Sequence, residues 1–157
     1  MSWKKLLQSN SVHRHTTSRQ ELSEIRRLVA RDLADAATPA LSEDRRFATA
    51  YNAALQTAKM AIACAGYRVA SVPRHHRLTL EGAELSVGNA ADRLTDYFEA
   101  CRRKRNEIDY TGAMIATATE ADELLIHAKS FLELVEVWIE TTHPRMKRRP
   151  QAMSLLF

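Results

Sequence analysis

The sequence contains few of the residues that break or cross-link a fold. Its 157 residues include four glycines, four prolines and two cysteines. Because glycine and proline are scarce while alanine, leucine and arginine are plentiful, the composition favours helices. Cys64 and Cys101 do not stand at metal-binding or redox spacing. We therefore expect two reduced core thiols in a cytoplasmic protein.

Long apolar runs are also missing. No stretch approaches the roughly 18 consecutive apolar residues that a membrane span needs, and the apolar patch in residues 1–8 is too brief for a signal peptide. The six histidines show no metal-ligand spacing, and no glycine-rich phosphate loop is present. The sequence thus predicts a protein without a membrane segment, a metal or a cofactor.

Positive charge is in excess, but only at one end. The net charge is +4, and four positive side chains lie close to the end of the chain: Arg145, Lys147, Arg148 and Arg149. The rest of the chain is therefore close to neutral, which argues against a broadly basic nucleic-acid-binding body. We interpret the basic stretch as a solvated tail that could contact phosphates.

Four long amphipathic segments predict an all-α fold, an antiparallel bundle with short extra helices. The long helices are expected from Ser18 to Thr38, from Ser42 to Gly66, from about 89 to 110, and from Thr119 to His143. Short helical turns are expected near 3–9 and 78–86, and no strand is predicted. This gives an N-terminal extension over 1–17, a bundle over 18–143 and a basic tail over 144–157.

One arginine falls on the apolar line of the third long helix. That line contains Leu94, Phe98, Cys101, Arg105 and Ile108, at steps of three and four residues. Such steps keep side chains on one helix face, which is normally buried. Because arginine is rarely buried without a partner, Arg105 either forms an ion pair inside the fold or lines a groove that binds an anion.

The surrounding side chains form a strip two helical turns long, made of Arg102, Arg105, Asn106, Asp109 and Tyr110. Arg105 and Asp109 are four residues apart and can form an ion pair. Guanidinium groups bind phosphate bidentately, and an amide can hold a nucleobase edge or a ribose hydroxyl. The strip therefore suits a phosphate-containing ligand, and the alternative is a charged helix surface without a ligand.

The position of Arg105-Asn106 late in the third main helix, within four helices of matching order, resembles the HEPN family. These compact helical bundles often act as ribonucleases or nucleic-acid-associated modules, and their motif runs from an arginine to a histidine. Tyr110 stands where that histidine is expected, as in a bacterial subgroup with an Arg-Asn-x-x-x-Tyr motif. The resemblance implies catalytic roles for Arg105 and Tyr110, substrate contacts for Arg102, Asn106 and Asp109, and a homodimer.

Two adjacent histidines are candidates for the missing imidazole. His75 and His76 lie in the predicted loop between the second and third long helices, flanked by Arg74 and Arg77. RNA cleavage by the 2′-hydroxyl needs a base and an acid, and an imidazole with a pKa near ~6.5 serves this better than a phenol near ~10. If the loop folds over the Arg105 strip, both histidines become substrate-binding candidates. The alternative is a polar loop whose histidines face opposite ways.

The resemblance implies binding of RNA or a nucleotide phosphate, and in its sharper form a metal-independent ribonuclease of a toxin–antitoxin or defence system. The competing hypothesis is a non-catalytic helical module that dimerises or holds a partner, such as a nucleotidyltransferase-type antitoxin. In that case Arg105 and Asp109 are structural.

Overall fold

The computed structural model describes residues 1–111 and 114–150. The helices in this part are α1 (Trp3–Gln8), α2 (Arg19–Ala36), α3 (Glu43–Ala65), α4 (His75–Val87), α5 (Asp92–Thr111) and α6 (Ala118–Thr142). The strands are β1 (Val12–Arg14) and β2 (Tyr67–Val69), and 3₁₀ turns cover Asn89–Ala91 and Pro144–Met146. The predicted all-α bundle is confirmed, and its four long helices are α2, α3, α5 and α6.

Helix α3 lies at the centre of the bundle and contacts α2, α4, α5 and α6. Small side chains allow these close approaches, and five of them are almost fully buried: Ala50, Ala53, Ala54, Ala58 and Ala61. Ser42 accepts a hydrogen bond from the backbone N–H of Arg45 at the start of α3, and Gly66 ends the helix with a φ of 98°. Both ends agree with the prediction.

The connection between α5 and α6 is fixed to the start of α3. The carboxylate of Asp44 accepts hydrogen bonds from the backbone N–H groups of Ile115, at 2.9 Å, and Ala116, at 2.7 Å. Helix α6 begins after Thr117, whose side chain forms a capping box with Glu120. The predicted start at Thr119 is therefore wrong by two residues, because the side chains of Thr117 and Glu120 already pair with the free backbone N–H groups at this end of the helix.

The start of α2 shows only half of the predicted capping box. Ser18 accepts a hydrogen bond from the backbone N–H of Glu21 at 3.1 Å. The Glu21 carboxylate turns the other way, toward His15 at 2.8 Å and toward the hydroxyl of Thr17. His15 and Thr17, which precede the helix, thus bind the carboxylate that a capping box would direct to the backbone N–H of Ser18.

The prediction of no strands is wrong. Strands β1 and β2 pair antiparallel with His13 opposite Arg68. Each has three residues, too few for an alternating pattern to appear in the sequence, and the pairing joins segments that are distant along the chain. Val12 of β1 belongs to a second, small apolar cluster with Leu6 and Leu78, and Tyr67 and Val69 of β2 pack against it.

The segment between α3 and α5 is more ordered than predicted. The expected loop from residue 67 contains β2, and α4 begins at His75 instead of near residue 78. The predicted N-terminal extension packs on this region, where the ring of Trp3 stacks on that of Tyr67 with centroids 4.1 Å apart. Residues 1–17 are thus part of the packed structure.

The beginning of the predicted tail contacts the bundle. Met146 packs against the main core, its carbonyl accepts a hydrogen bond from Arg26 at 2.8 Å, and Arg148 pairs with Glu133 at 3.0 Å. Residues 151–157 of this tail lie outside the described residues. Within the described ranges, none of the helices has the length and apolar character needed to cross a membrane.

Candidate functional site

Arg105 lies at the margin of the core, as the apolar line of α5 predicts. Phe98 is 0% exposed and Ile108 is 8% exposed, and both belong to the main core. Leu94 and Cys101 are partly buried against it. The Arg105 side chain retains 19% of its exposure. Its guanidinium is therefore mostly enclosed by protein while one side still reaches the surface.

Two side chains hold the Arg105 guanidinium. One terminal nitrogen, Nη1, donates a hydrogen bond to the carboxylate of Asp109 one turn later on α5. The other, Nη2, donates to Oδ1 of Asn52 on α3 at 3.3 Å. The third nitrogen, Nε, is buried and has no hydrogen-bond partner among the described residues. Arg105 thus has the intramolecular pair that the sequence allowed, but its donors are not all satisfied.

Other buried polar atoms without a partner lie close to Arg105. They are Oη of Tyr51 on α3 and Oε2 of Glu99 on α5. The charges of Glu99, Arg102 and Arg105 all act on the pKa of Tyr51, which burial in the first place and Glu99 in the second raise above its usual value. The phenol therefore stays protonated. Because buried polar groups are nearly always hydrogen-bonded, the donors Tyr51 Oη and Arg105 Nε mark a place that a water or ligand oxygen can complete, while Glu99 Oε2 needs a donor such as water.

Arg102 is more exposed and has one carboxylate partner. Its Nε donates a hydrogen bond to Oε1 of Glu99 at 3.0 Å, and its Nη2 lies 2.9 Å from the same oxygen in an ion pair. Hydrogen bonding to Glu99 raises the pKa of Arg102. Both Arg102 nitrogens contact Oε1 of Glu99. The other carboxylate oxygen, Oε2, is buried and has no partner among the described residues.

His76 brings an imidazole to this region. Its ring centroid lies 5.8 Å from that of Tyr51 and 4.3 Å from that of His75. Burial, the neighbouring His75 and the positive charge of Arg105 lower the pKa of His76 to about 4. The ring is therefore neutral at neutral pH and can accept a proton.

The two histidines do not lie in a loop, as predicted, but in the first turn of α4. His75 is exposed, and its Nδ1 lies 3.0 Å from the carbonyl oxygen of Val72. The charges of Arg105 and Arg102 both act on His76 and help to lower its pKa. The six residues that come together are named the Arg105 cluster below: Tyr51, Asn52, His76, Glu99, Arg102 and Arg105.

The rest of the predicted strip does not join these contacts. Tyr110 is 90% exposed and forms no hydrogen bond or ring contact within the part of the chain that the structure describes. Asn106 is half-buried, and its amide likewise has no partner there. Asp109 is connected through its pair with Arg105 alone. In a single copy of the chain, Tyr110 therefore does not reach the Arg105 cluster.

Sequence reasoning missed three members of the cluster. Tyr51 is 0% exposed on the buried face of α3, where the apolar pattern gives no sign of a role for its hydroxyl. Asn52 follows it in an alanine-rich helix, and a polar amide beside a buried phenol is a usable signal. Glu99 stands among many charged residues of α5, and its position three residues before Arg102 is the signal for their pair. Over residues 1–111 and 114–150, the structure contains no group of three or more side chains that could hold a metal ion.

The fold and the cluster define the protein as an antiparallel helical bundle whose central helix faces an arginine pair and an imidazole. A family model described as SAV_6107-like HEPN matches residues 34–136, more than half of the chain. The chain belongs to the HEPN family. The match includes all of α3, α4 and α5 and therefore the whole Arg105 cluster. No curated protein and no solved structure gave a significant match.

Proposed function

We propose that this HEPN protein binds RNA by its phosphate groups at the Arg105 cluster. The observation that carries the proposal is that two buried donors, Tyr51 Oη and Arg105 Nε, have no partner among the described residues and lie beside two arginines. A purely structural ion pair would be expected to satisfy its own donors and acceptors. A phosphate and its bound waters supply oxygens to this region from the exposed side of Arg105.

Asp109 is the group that a phosphate must displace. Its carboxylate is 48% exposed and stands four residues from Arg105 on the same helix. Exposed pairs of this kind contribute only about 0.3–0.5 kcal/mol. Bidentate hydrogen bonds between guanidinium and phosphate are stronger and geometrically specific. The exchange of Asp109 for phosphate is therefore favourable, while Asn52 keeps the guanidinium in place.

In its sharper form the function is metal-independent cleavage of RNA. The ribose 2′-oxygen attacks the adjacent phosphorus, and the 5′-oxygen leaves with a proton. This reaction requires a base, an acid and positive charge beside the phosphorane. His76 is neutral and can take the 2′-hydroxyl proton. Because a bound phosphate offsets the charges of Arg102 and Arg105, it also lets the pKa of His76 rise toward its ordinary value.

Tyr110 enters this scheme only through a second copy of the chain. Its phenol and the side chain of Met114 are 90% and 87% exposed, which is unusual for large apolar groups. Pairing of two copies at this end of α5 would cover both and bring the two Arg105 clusters together. Tyr110 of one copy would then donate the proton to the leaving 5′-oxygen at the other.

A second candidate function is a non-catalytic interaction module. It is favoured by further exposed apolar side chains on α6, since Ile126 is 62% exposed and Val137 is 49% exposed. A partner protein, such as a nucleotidyltransferase-type antitoxin, would cover these groups. In this case Arg105 and Asp109 serve only to hold α5 against α3.

The test compares binding and cleavage of a fluorescein-labelled RNA in EDTA. We expect Arg105→Ala to weaken binding by about tenfold or more, the size of a lost charged hydrogen bond. His76→Gln should keep binding and lose cleavage, and Tyr110→Phe should slow cleavage if its proton is used. Arg103→Ala, an exposed arginine of the same helix, is the matched control.

The outcomes separate the candidate functions. Unchanged RNA binding by Arg105→Ala, with a lowered melting temperature, would show that the arginine is structural and would overturn the proposal. Binding without cleavage by the wild-type protein would keep the RNA-binding function and rule out the nuclease form. A lack of RNA binding in the wild type would favour the interaction module.

A further inference from the structure

A cavity of about 740 Å³ opens between α2, α3 and the segment from β2 to α4. His75 lines it, but His76 and Arg105 do not, so it is separate from the Arg105 cluster. Cavities of roughly 300–1,000 Å³ are typical of sites for small organic molecules. The fold thus contains a second place that a ligand can occupy.

One part of the cavity wall is apolar. Ile25 and Leu28 of α2, Ile62 of α3, and Val69 and Val72 of the β2 segment all face it. Leu28 is 37% exposed, and it is among the few large apolar side chains that the described chain leaves accessible. Contact with the apolar body of a ligand removes this apolar surface from water and thereby favours binding.

Two positive side chains face the same cavity without a carboxylate in direct contact. Lys59 of α3 and Arg68 of β2 both line it, and neither takes part in a salt bridge or side-chain hydrogen bond within the described residues. Burial and the charge of Arg68 lower the pKa of Lys59. The two cations are therefore close enough to repel one another.

The acidic side chains of the cavity compensate for this charge only in part. Burial alone would raise the pKa of Glu21, but hydrogen bonds from Thr17 and His15 and the charges of His15 and Arg68 lower it. Both Glu21 oxygens lie within 3.0 Å of the His15 ring nitrogen. Glu24 is exposed and accepts a hydrogen bond from Gln20 at 3.2 Å. Glu21 thus balances part of the Arg68 charge while bound to His15, and neither carboxylate forms a salt bridge with Lys59 or Arg68 among the described residues.

We propose that this cavity binds a small amphipathic organic anion, with its charged head between Lys59 and Arg68 and its apolar body against Ile25, Leu28 and Val69. A carboxylate, sulfonate or phosphate ester can supply the head, because each offers oxygens to an ammonium and a guanidinium. The apolar body distinguishes this ligand from a free inorganic anion. The site shares no residue with the Arg105 cluster, although the charge of Lys59 also acts on the pKa of His76.

Isothermal titration of the full chain with three probes tests the two parts of the ligand. Octanoate has both a charged head and an apolar chain, 1-octanol lacks the charge, and propionate lacks most of the chain. We expect octanoate to bind at least about tenfold more tightly than either comparator, since each buried methylene and each charged hydrogen bond contributes. Equal affinity for 1-octanol, equal affinity for propionate, or no octanoate binding would overturn the proposal.

Substitutions of Lys59 and Arg68 test where the charged head of the ligand binds. Lys59→Met keeps the apolar stem and removes the charge, and Arg68→Gln keeps a polar group. Each should weaken octanoate binding by about tenfold. Arg14→Gln, on the adjacent strand β1 and outside the cavity lining, should leave it unchanged.

Affinity retained by both cavity variants would overturn the assignment. Circular dichroism spectra that match the wild type establish that the variants are folded. Octanoate and RNA binding are both measured in Arg105→Ala to separate this proposal from the proposed function. Unchanged octanoate affinity in this variant shows that the cavity is a separate site, with or without RNA binding. Octanoate affinity lost together with RNA binding would overturn the independence of the two.

Discussion

Arg105 is held by two partners that differ in charge and in exposure. Asn52 is neutral and lies on the central helix, while Asp109 carries a negative charge and is 48% exposed. An anionic ligand is repelled by the second partner and not by the first. The Asp109 carboxylate therefore acts as an internal competitor for the same guanidinium.

Asp109→Asn should strengthen RNA binding. Removing a charge about 4 Å from the phosphate position removes about 1 kcal/mol of repulsion in water, which corresponds to roughly fivefold in affinity. The melting temperature should change little, because exposed pairs of this kind contribute only about 0.3–0.5 kcal/mol. Fluorescence anisotropy with labelled RNA measures the first effect and thermal denaturation the second.

Asp96→Asn is the matched control for this variant, since it removes an exposed carboxylate from the same helix at a distance from Arg105. It should change affinity much less. A weaker affinity of Asp109→Asn, accompanied by a large loss of thermal stability, would contradict the competitor role and support a structural pair.

The inward position of Arg105 was predictable, while its surroundings were not. The three- and four-residue steps of α5 place Arg105 on the core side, because helix geometry is local. Its contacts with Asn52, Tyr51 and His76 join segments far apart in the chain, so no spacing rule reveals them. The exposed position of Tyr110 follows from the same geometry, since it lies off the apolar line.

At the level of helices, α4 lies close to α3 at Gly82, and this approach places His76 beside Tyr51. A β-carbon at Gly82 would lie 2.7 Å from Cδ1 and 2.9 Å from Cγ1 of Ile62, and 3.4 Å from the ring of Trp3. Ile62 is only 2% exposed and therefore has little room to move. The glycine is needed here for space, since alanine would otherwise be the better helix former.

Gly82→Ala should lower the free energy of unfolding. Overpacking costs about 1–3 kcal/mol, and the better helix propensity of alanine returns about 1 kcal/mol, so we expect a net loss near 1 kcal/mol in urea denaturation. Ile62→Ala removes both Cδ1 and Cγ1, the two atoms that the new β-carbon would meet. Introduced into Ile62→Ala, the same glycine replacement should be neutral or stabilising. A Gly82→Ala protein more stable than the wild type would contradict the close contact.

The long helices could be predicted and the short elements could not. Apolar periodicity over many residues, together with Ser18, Ser42 and Gly66 at the ends, fixes α2 and α3 locally. By contrast, β1 and β2 form through pairing of distant three-residue segments, and the start of α6 depends on the reciprocal bonds of Thr117 and Glu120. The first turn of α4, where both candidate histidines lie, was also missed, because no side chain caps this end of the helix.

For the whole molecule, one ion pair joins α2, α6 and the residues that follow α6. Arg26 donates from Nε and Nη2 to the two oxygens of Glu136, both at 2.8 Å, and Nη2 also donates to the carbonyl of Met146. The Glu136 side chain is only 4% exposed. The beginning of the predicted tail is therefore attached to the bundle through a nearly buried carboxylate.

Arg26→Met should destabilise the bundle far more than the loss of an ordinary surface pair. Removing one partner leaves the Glu136 charge buried, which costs about 3–5 kcal/mol, whereas replacing both partners by apolar groups is often neutral. We therefore expect the double variant Arg26→Met/Glu136→Met to regain most of the loss in urea denaturation. Arg148→Met is the control, because its bidentate pair with Glu133 is exposed at 43% and 60% and such pairs contribute at most about 1 kcal/mol. An equally small loss of unfolding free energy in Arg26→Met and Arg148→Met would show that Glu136 is not buried as the structure has it. The attachment of residues 144–146 to the bundle would then not depend on this charge pair.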